Sequence, residues 1–155
     1  MNEPVRKRVR VACDASHAFT VFTSRIDLWW PQGHRRFARS VMVLEAKAGG
    51  MFAERAPDGE EFRMGEVISC DPPREIRYSW YPGGTGRPTL VEIRFTADRD
   101  HTLVEVTHSE AESGLGTAWP DRARLFDRNW NIVLPAYERA LQGSDRPVGD
   151  GKVPV

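Results

Sequence analysis

The amino-acid sequence predicts an α+β fold in which a curved antiparallel sheet of six or seven strands wraps around a long C-terminal helix. Two patterns carry this prediction. Apolar and polar residues alternate in successive short segments between about residues 40 and 110, and apolar residues recur every three or four positions over residues 119–141. The connections between the alternating segments are too short for parallel crossovers, so neighbouring strands are expected to be antiparallel.

The N-terminal part predicts one strand followed by two short helices. Residues 5–13 alternate valines with three arginines, which is typical of a half-buried strand with a solvated basic face. Asp14 and Ser16 are residues that favour the start of a helix, which we expect over residues 16–23. A second short helical piece ends before Pro31, because a residue that precedes proline is disfavoured in the helical conformation.

Six further strands are predicted, separated by breakers rich in glycine, proline and aspartate. They cover residues 40–46, 50–55, 61–70, 75–81, 89–97 and 102–110. The breaker at residues 83–86 reads Gly-Gly-Thr-Gly and superficially resembles a phosphate-binding loop. Since no helix follows it, we do not expect it to bind phosphate.

The final helix is predicted from an apolar stripe over residues 119–141. Its members are Phe126, Trp130, Val133, Tyr137 and Leu141. Pro135 lies inside this pattern and is expected to kink the helix. We expect residues 1–142 to form a single domain, and the glycine- and proline-rich residues 143–155 to form a flexible tail.

Composition excludes several classes of function. The chain has 155 residues, with 22 basic and 22 acidic side chains, so no net field favours nucleic acid. No apolar run is long enough for a membrane span, and no signal peptide is visible, so a cytoplasmic protein is expected. Cys13 and Cys70 are predicted to be two buried thiols. The four histidines are scattered, so the sequence predicts neither a metal site nor a cofactor.

The order of elements and several short motifs resemble the helix-grip, or START-related, superfamily, which includes polyketide cyclases. More narrowly, the chain resembles the bacterial branch named after the C-terminal domain of the activator of heat-shock-protein-90 ATPase. The resemblance spans roughly residues 5–142 and is carried by residues 18–23 (AFTVFT), 29–31 (WWP), 49–52 (GGMF), 65–67 (GEV), 71–73 (DPP), 76–80 (IRYSW), 91–95 (VEIRF), 104–108 (VEVTH), 129–130 (NW), Leu134 and Tyr137.

This resemblance implies a cavity between the sheet and the helix, while the chemistry differs among members of the superfamily. The activator function belongs to larger proteins with an additional N-terminal domain, for which this chain leaves no room, so we do not expect it here. Two positions depart from the family pattern. Asn129 stands where the family often has glycine, and Pro135 is not part of the pattern.

A set of large apolar and aromatic side chains is predicted to face the space between the sheet and the helix. As ligand-binding residues we predict Trp30, Phe52, Tyr78, Trp80, Ile93, Phe95, Val106, His108, Phe126 and Trp130. Trp29 and Trp30 are equally compatible with a lid over a ligand and with ordinary core.

His108 is the titratable residue that the alternation of its strand places inside, near the rim of the cavity. It is either a catalytic or ligand-binding group, or a structural histidine bonded to a backbone carbonyl or a carboxylate. Glu66 shares the phase of inward residues, unless a bulge near Gly65 turns Val67 inward instead. The bulge is favoured, because an unpaired buried carboxylate is costly.

Three functions remain open from the sequence. The first is the binding of a small, largely apolar or aromatic molecule. The second is a cyclase or hydratase that uses His108 with Tyr78 or Glu66 as acid and base. The third is a protein-interaction module resembling a co-chaperone, which would use a sheet edge or the C-terminal tail, and a homodimer is one such arrangement. An inward acid–base pair favours the enzyme, whereas an aromatic pocket favours the binding protein.

Overall fold

The computed structural model describes residues 2–81 and 87–144, with side chains described as far as residue 142. The described elements are β1 (Val5–Val11), α1 (Ala15–Phe22), α2 (Ile26–Trp29), β2 (Val41–Leu44), β3 (Met51–Arg55), β4 (Glu61–Asp71), β5 (Glu75–Trp80), β6 (Thr89–Asp98), β7 (His101–Ser109) and α3 (Trp119–Ser144). The breaker predicted at residues 83–86 lies outside the described residues, as does the predicted tail beyond residue 144.

The strands form one antiparallel sheet of seven strands in the order β1-β7-β6-β5-β4-β3-β2. Strands β2 to β6 each pair with the next strand in the chain, and β1 pairs with β7. The sheet is curled into a half-barrel with α3 as the long C-terminal helix. The prediction of an α+β fold with six or seven strands is therefore confirmed, and the observed number is seven.

The inner face of the sheet consists of the apolar residues of the alternating pattern. Val91 and Ile93 on β6 and Val104 and Val106 on β7 are almost completely buried. Tyr137 of α3 is buried as well. These residues belong to one apolar core between the sheet and the helices, which is the space in which the resemblance places a cavity.

The outer face of the sheet carries charges of alternating sign in register. Arg8, Glu105, Arg94 and Glu75 are opposite one another across β1, β7, β6 and β5. Arg94 Nε lies 3.0 Å from Glu75 Oε2. The arginines at residues 6, 8 and 10 are all exposed, so the basic run of β1 belongs to a solvated face, as predicted.

Strand β4 contains the irregularity that the sequence left open. Its pairing with β5 shifts between Val67 and Ser69, and Val67 is buried whereas Glu66 is exposed. A Cβ atom on Gly65 would lie 1.8 Å from the carbonyl oxygen of Ser79, so only glycine permits this close approach of the two backbones. The alternative with an inward Glu66 is wrong, because the irregularity turns Val67 to the inner face.

The helices agree closely with the sequence prediction, with small differences at their ends. Asp14 caps α1, since its Oδ1 accepts the His17 N–H at 2.8 Å. Ser16, expected to share in capping, lies inside α1. Helix α3 continues through Pro135 as far as Ser144, which is past the predicted end.

The two cysteines do not form a disulfide, and both are half-buried. The prediction that they are buried is therefore too strong. Each lies at a margin of the sheet, where neighbouring side chains leave part of the residue open to solvent: Cys13 follows β1, and Cys70 is close to the end of β4. Among the residues described, no helix combines the length and apolarity required to cross a membrane.

Candidate functional site

A cavity of about 40 Å³ lies between the sheet and α3. Sheet strands supply Tyr78, Trp80 and His108, and the segment after α2 supplies Trp30 and His34. The helix supplies Phe126, Trp130 and Val133 from its apolar stripe, together with the polar Asn129. The lining is therefore mainly aromatic and comes from both layers of the fold.

His108 is held by two hydrogen bonds that define its protonation. The indole Nε1–H of Trp130 donates to His108 Nδ1 at 3.2 Å, so Nδ1 must be the unprotonated nitrogen. The Nε2–H then donates to Thr89 Oγ1 at 2.8 Å. The hydroxyl of Thr89 in turn donates to the carbonyl oxygen of Trp80 at 3.1 Å. Both ring nitrogens are thus engaged with the protein.

The surroundings of the His108 ring keep it neutral. Its ring stacks on Phe126 with centroids 4.0 Å apart, and Trp119 packs against it edge-on. Burial lowers the pKa of His108 to about 3. The expected position at the rim is wrong, because the N-terminal half of α3 covers the strand end and leaves His108 only 1% exposed. Its hydrogen-bond partners are side chains, not the carbonyl or carboxylate expected from the sequence.

Three other lining residues have polar atoms that the described part of the protein leaves without a partner. Nδ1 of His34 is buried and makes no hydrogen bond. The hydroxyl of Tyr78 and the side-chain amide of Asn129 also make none with the described residues. Burial raises the pKa of Tyr78 above its ordinary value, so its hydroxyl stays protonated and able to donate.

The segment over the cavity, residues 31–40, is fixed by two buried charged side chains that sequence reasoning missed. Arg35 bonds to the Asp27 carboxylate at 2.7 Å and to the carbonyl oxygens of Asp27, Trp30 and Ser40. Glu54 accepts the backbone N–H groups of residues 36 and 37, each at 2.8 Å. The alternation of β3 did contain a signal, because Glu54 shares the phase of Phe52.

The two adjacent tryptophans have different roles. Trp29 belongs to the core, where its Nε1–H donates to the carbonyl oxygen of Val21 at 2.8 Å and its ring packs on Tyr137. Trp30 lines the cavity and packs edge-on against Phe52 with centroids 5.5 Å apart. The choice between lid and core therefore has a separate answer for each residue.

The structure brings together part of the predicted ligand-binding set. The predicted residues that line the cavity are Trp30, Tyr78, Trp80, His108, Phe126 and Trp130. The remaining ones lie in the adjoining core and do not line it: Phe52, Ile93, Phe95 and Val106. Whether any of them binds a ligand stays a prediction.

Sequence reasoning missed His34, Asn129 and Val133 as lining residues. Val133 was on the predicted apolar stripe of α3, and Asn129 is three residues after Phe126, so the stripe could have shown both. His34 lies in a short irregular segment and had no such signal.

The catalytic pairs predicted from the sequence are not assembled as expected. Glu66 is exposed on β4 and does not line the cavity, so its predicted pairing with His108 is wrong. Tyr78 and His108 do line one cavity, yet both nitrogens of His108 are already hydrogen-bonded. Within the described part of the chain, no three acidic, histidine or cysteine side chains are grouped so that they could hold a metal ion.

Residues 12–140 match the family described as "Activator of Hsp90 ATPase homolog 1-like protein". The chain belongs to this family. Membership confirms the resemblance to the helix-grip superfamily. No curated protein sequence matches the chain.

Solved structures of related fold include proteins of several kinds. CalU16 from Micromonospora echinospora is 21% identical, with a TM-score of 0.60 over 88% of this chain and 74% of that one. The Aha1 dimer from Colwellia psychrerythraea is 14% identical, with a TM-score of 0.65 over 90% and 96%. The anthrahydroquino-gamma-pyrone synthase Txn09, complexed with a molecule designated SUM, is 28% identical, with a TM-score of 0.54 over 80% and 87%.

The likenesses to CalU16 and to the Colwellia protein concern the fold alone. The Colwellia structure is a dimer, which fits the homodimer considered from the sequence, and that arrangement stays a prediction for this chain.

Proposed function

We propose that this protein binds a small, largely apolar or aromatic molecule in the cavity between the sheet and α3. The observation that carries the proposal is the lining: aromatic rings from both layers surround a space that also receives polar atoms of Tyr78, His34 and Asn129, for which the described residues provide no partner. An apolar pocket with a few convergent polar groups is the usual composition of a small-molecule site.

The cavity must widen to accept such a ligand. Its volume of about 40 Å³ is far below the roughly 300–1,000 Å³ of drug-sized pockets. Trp80 is the side chain we expect to move. It is only half-buried, and its indole N–H makes no hydrogen bond with the described residues. Trp30 is more firmly placed, since it is 5% exposed and its Nε1–H donates to the carbonyl oxygen of His34.

The comparisons support the proposal at the level of the fold family. Txn09, which is described as a synthase, was solved in a complex with SUM, so a structure of similar fold is known with a bound component. The dedicated acid–base pair that would favour an enzyme is weakened by the engagement of His108. The binding function is therefore the reading that the geometry supports best.

The proposal is tested by measuring the melting temperature with a panel of bicyclic aromatics such as naphthalene, indole and quinoline. A ligand that binds only the folded chain raises the melting temperature by mass action. Val133→Leu, which adds a methylene at the cavity, should remove this rise. Val21→Leu adds the same group to the α1 core away from the cavity and should preserve it.

The proposal fails if no member of the panel shifts the melting curve of the wild-type protein. It also fails if Val133→Leu and Val21→Leu, both shown to be folded by circular dichroism, respond to the panel equally. Equal responses would place the binding site elsewhere on the molecule.

A further inference from the structure

The hydroxyl of Tyr78 is unusual among the buried polar groups of this protein. Tyr78 is 1% exposed and lies in the middle of β5, opposite Val67 and Val91, where phenylalanine would pack as well. Among the described residues, the fully enclosed side-chain atoms without a partner are His34 Nδ1 and Ser40 Oγ, so the Tyr78 hydroxyl oxygen is open to the cavity. A hydroxyl left without any partner there costs about 1–3 kcal/mol. The hydroxyl makes no hydrogen bond with the described residues, and the residue lines the cavity, so a group inside the cavity is its natural partner.

Tyr137 shows what the same residue does in a closed part of the core. Its hydroxyl donates to the carbonyl oxygen of Ala18 at 2.7 Å, and the residue is fully buried. The two tyrosines thus differ in where the hydrogen bond goes. One hydrogen bond is internal, and the other is left for an occupant of the cavity.

Asn129 of α3 is a second cavity-lining residue whose polar side chain has no hydrogen-bond partner among the described residues. The apolar stripe of α3 places it between Phe126 and Val133. Nδ1 of His34 is a third such atom on the segment above. These polar atoms come from β5, α3 and the 31–40 segment and line one cavity, whereas the rest of its lining is mostly aromatic.

We infer that the cavity selects planar aromatic molecules that carry an oxygen substituent, and that Tyr78 and Asn129 determine this selectivity. This inference rests on the proposed binding function. The aromatic walls accept the ring, and a ligand hydroxyl or carbonyl oxygen accepts the hydrogen bond of Tyr78. Asn129 can donate to or accept from the same substituent. An ordered water molecule would occupy the place of that oxygen in the absence of ligand, since a cavity of about 40 Å³ has room for at least one water.

The selectivity follows from the cost of leaving the site unpaired. A hydrocarbon of the same shape would displace the water and leave the Tyr78 and Asn129 groups without partners. Sites built to hydrogen-bond a substituent reject the analogue that lacks it for this reason. A single net hydrogen bond corresponds to a preference of up to about tenfold.

The test compares 2-naphthol with 2-methylnaphthalene, which differ by a hydroxyl in place of a methyl group of similar size. Dissociation constants are measured by isothermal titration calorimetry at equal ionic strength. We expect the wild-type protein to bind 2-naphthol about tenfold more tightly. This preference runs against simple hydrophobicity, which favours the methyl compound.

Tyr78→Phe and Asn129→Leu should each reduce the ratio of the two dissociation constants toward one. Tyr137→Phe is the matched control, because it removes a hydroxyl that is bonded to Ala18 and lies away from the cavity, and it should leave the ratio unchanged. If both compounds bind the wild-type protein equally and Tyr78→Phe changes nothing, the inference is overturned while the binding function stands. If neither compound binds, both proposals fail, and the cavity is a water site only.

Discussion

The space between the sheet and α3 has two ends that use similar residues differently. The Tyr137 end contains Phe22, Trp29, Phe95 and Tyr137, whose rings pack at centroid distances between 5.1 and 6.0 Å. The His108 end contains the residues that line the cavity, from Trp30 and Tyr78 to Phe126 and Trp130. Both ends are rich in aromatic residues, yet the cavity lies only at the second.

The two ends differ in which groups accept hydrogen bonds from the hydroxyl and indole N–H groups of the aromatic side chains. At the Tyr137 end, the hydroxyl of Tyr137 and the indole N–H of Trp29 both donate to backbone carbonyls of α1, those of Ala18 and Val21. At the His108 end, the indole N–H groups of Trp30 and Trp130 also have acceptors, whereas Tyr78 and Trp80 make no side-chain hydrogen bond with the described residues. The carbonyls of α1 therefore satisfy the polar groups at one end, whereas two aromatic side chains at the other end have polar groups that face the cavity without a described protein partner.

The largest expected contrast is between two tryptophan truncations. Trp29→Ala should lower the free energy of unfolding by about 3–5 kcal/mol, because it removes a buried ring from a closed packing arrangement. Trp80→Ala should cost about half as much or less, since its ring is half-buried beside a cavity. Urea denaturation of both variants measures the difference, and a larger loss for Trp80→Ala would show that the His108 end is as tightly packed as the other.

The next contrast concerns the pH dependence of the free energy of unfolding, to which His108 contributes because its ring is buried at the cavity end. Its pKa is about 3 when folded and 6.5 ordinarily, so between these values the unfolded chain binds a proton that the folded chain does not. The stability from the neutral ring is present above pH 6.5 and is lost as the pH falls toward 3. Between pH 7 and pH 5 this loss should reach about 2 kcal/mol.

His108→Gln removes this titration while keeping a polar group within reach of Thr89. The variant should therefore lose about 2 kcal/mol less than the wild-type protein between pH 7 and pH 5, as measured by urea denaturation at each pH. His101→Gln is the control, because His101 is the first residue of β7, is only half-buried and pairs with Asp100 at the surface. Identical pH dependence of wild type and His108→Gln would contradict a buried neutral ring.

The smallest contrast uses the two tyrosines. Tyr137→Phe should lower the free energy of unfolding by about 1 kcal/mol, because the carbonyl of Ala18 loses a buried donor. Tyr78→Phe should change it by less than about 0.5 kcal/mol, since no hydrogen bond to a described residue is lost. A clear destabilisation by Tyr78→Phe in ligand-free protein would mean that its hydroxyl has an internal partner after all.

Much of the fold could be predicted because its signals are local. Period-two alternation and short breakers located six of the strands within a few residues, and the apolar stripe located α3. The bulge in β4 could be favoured but not decided, because alternation alone places Glu66 inside. The decision depends on the contact of Gly65 with Ser79 on the next strand, which is not visible in the order of residues along one strand.

The site was harder to predict because its decisive contacts are distant in sequence. Trp29 and Trp30 are neighbours in the chain but meet different partners, one in α1 and one in β3. The bonds of His108 to Thr89 and Trp130 depend on the register of β6 with β7 and on the rotation of α3. His34 lies in a segment without periodicity, so nothing along the chain marks it as part of the lining.

The anchoring of the 31–40 segment by Arg35 and Glu54 has a consequence for how this site can diversify. The backbone there is held by Arg35 and Glu54, which do not line the cavity, and His34 contributes only backbone groups: its carbonyl oxygen accepts from Trp30, and its N–H donates to the carbonyl oxygen of Pro31. The side chain at position 34 can therefore be exchanged while the segment keeps its place. Under the proposed function, position 34 is thus a site at which a substitution can change the chemistry of the cavity lining while the backbone of the segment keeps its structure.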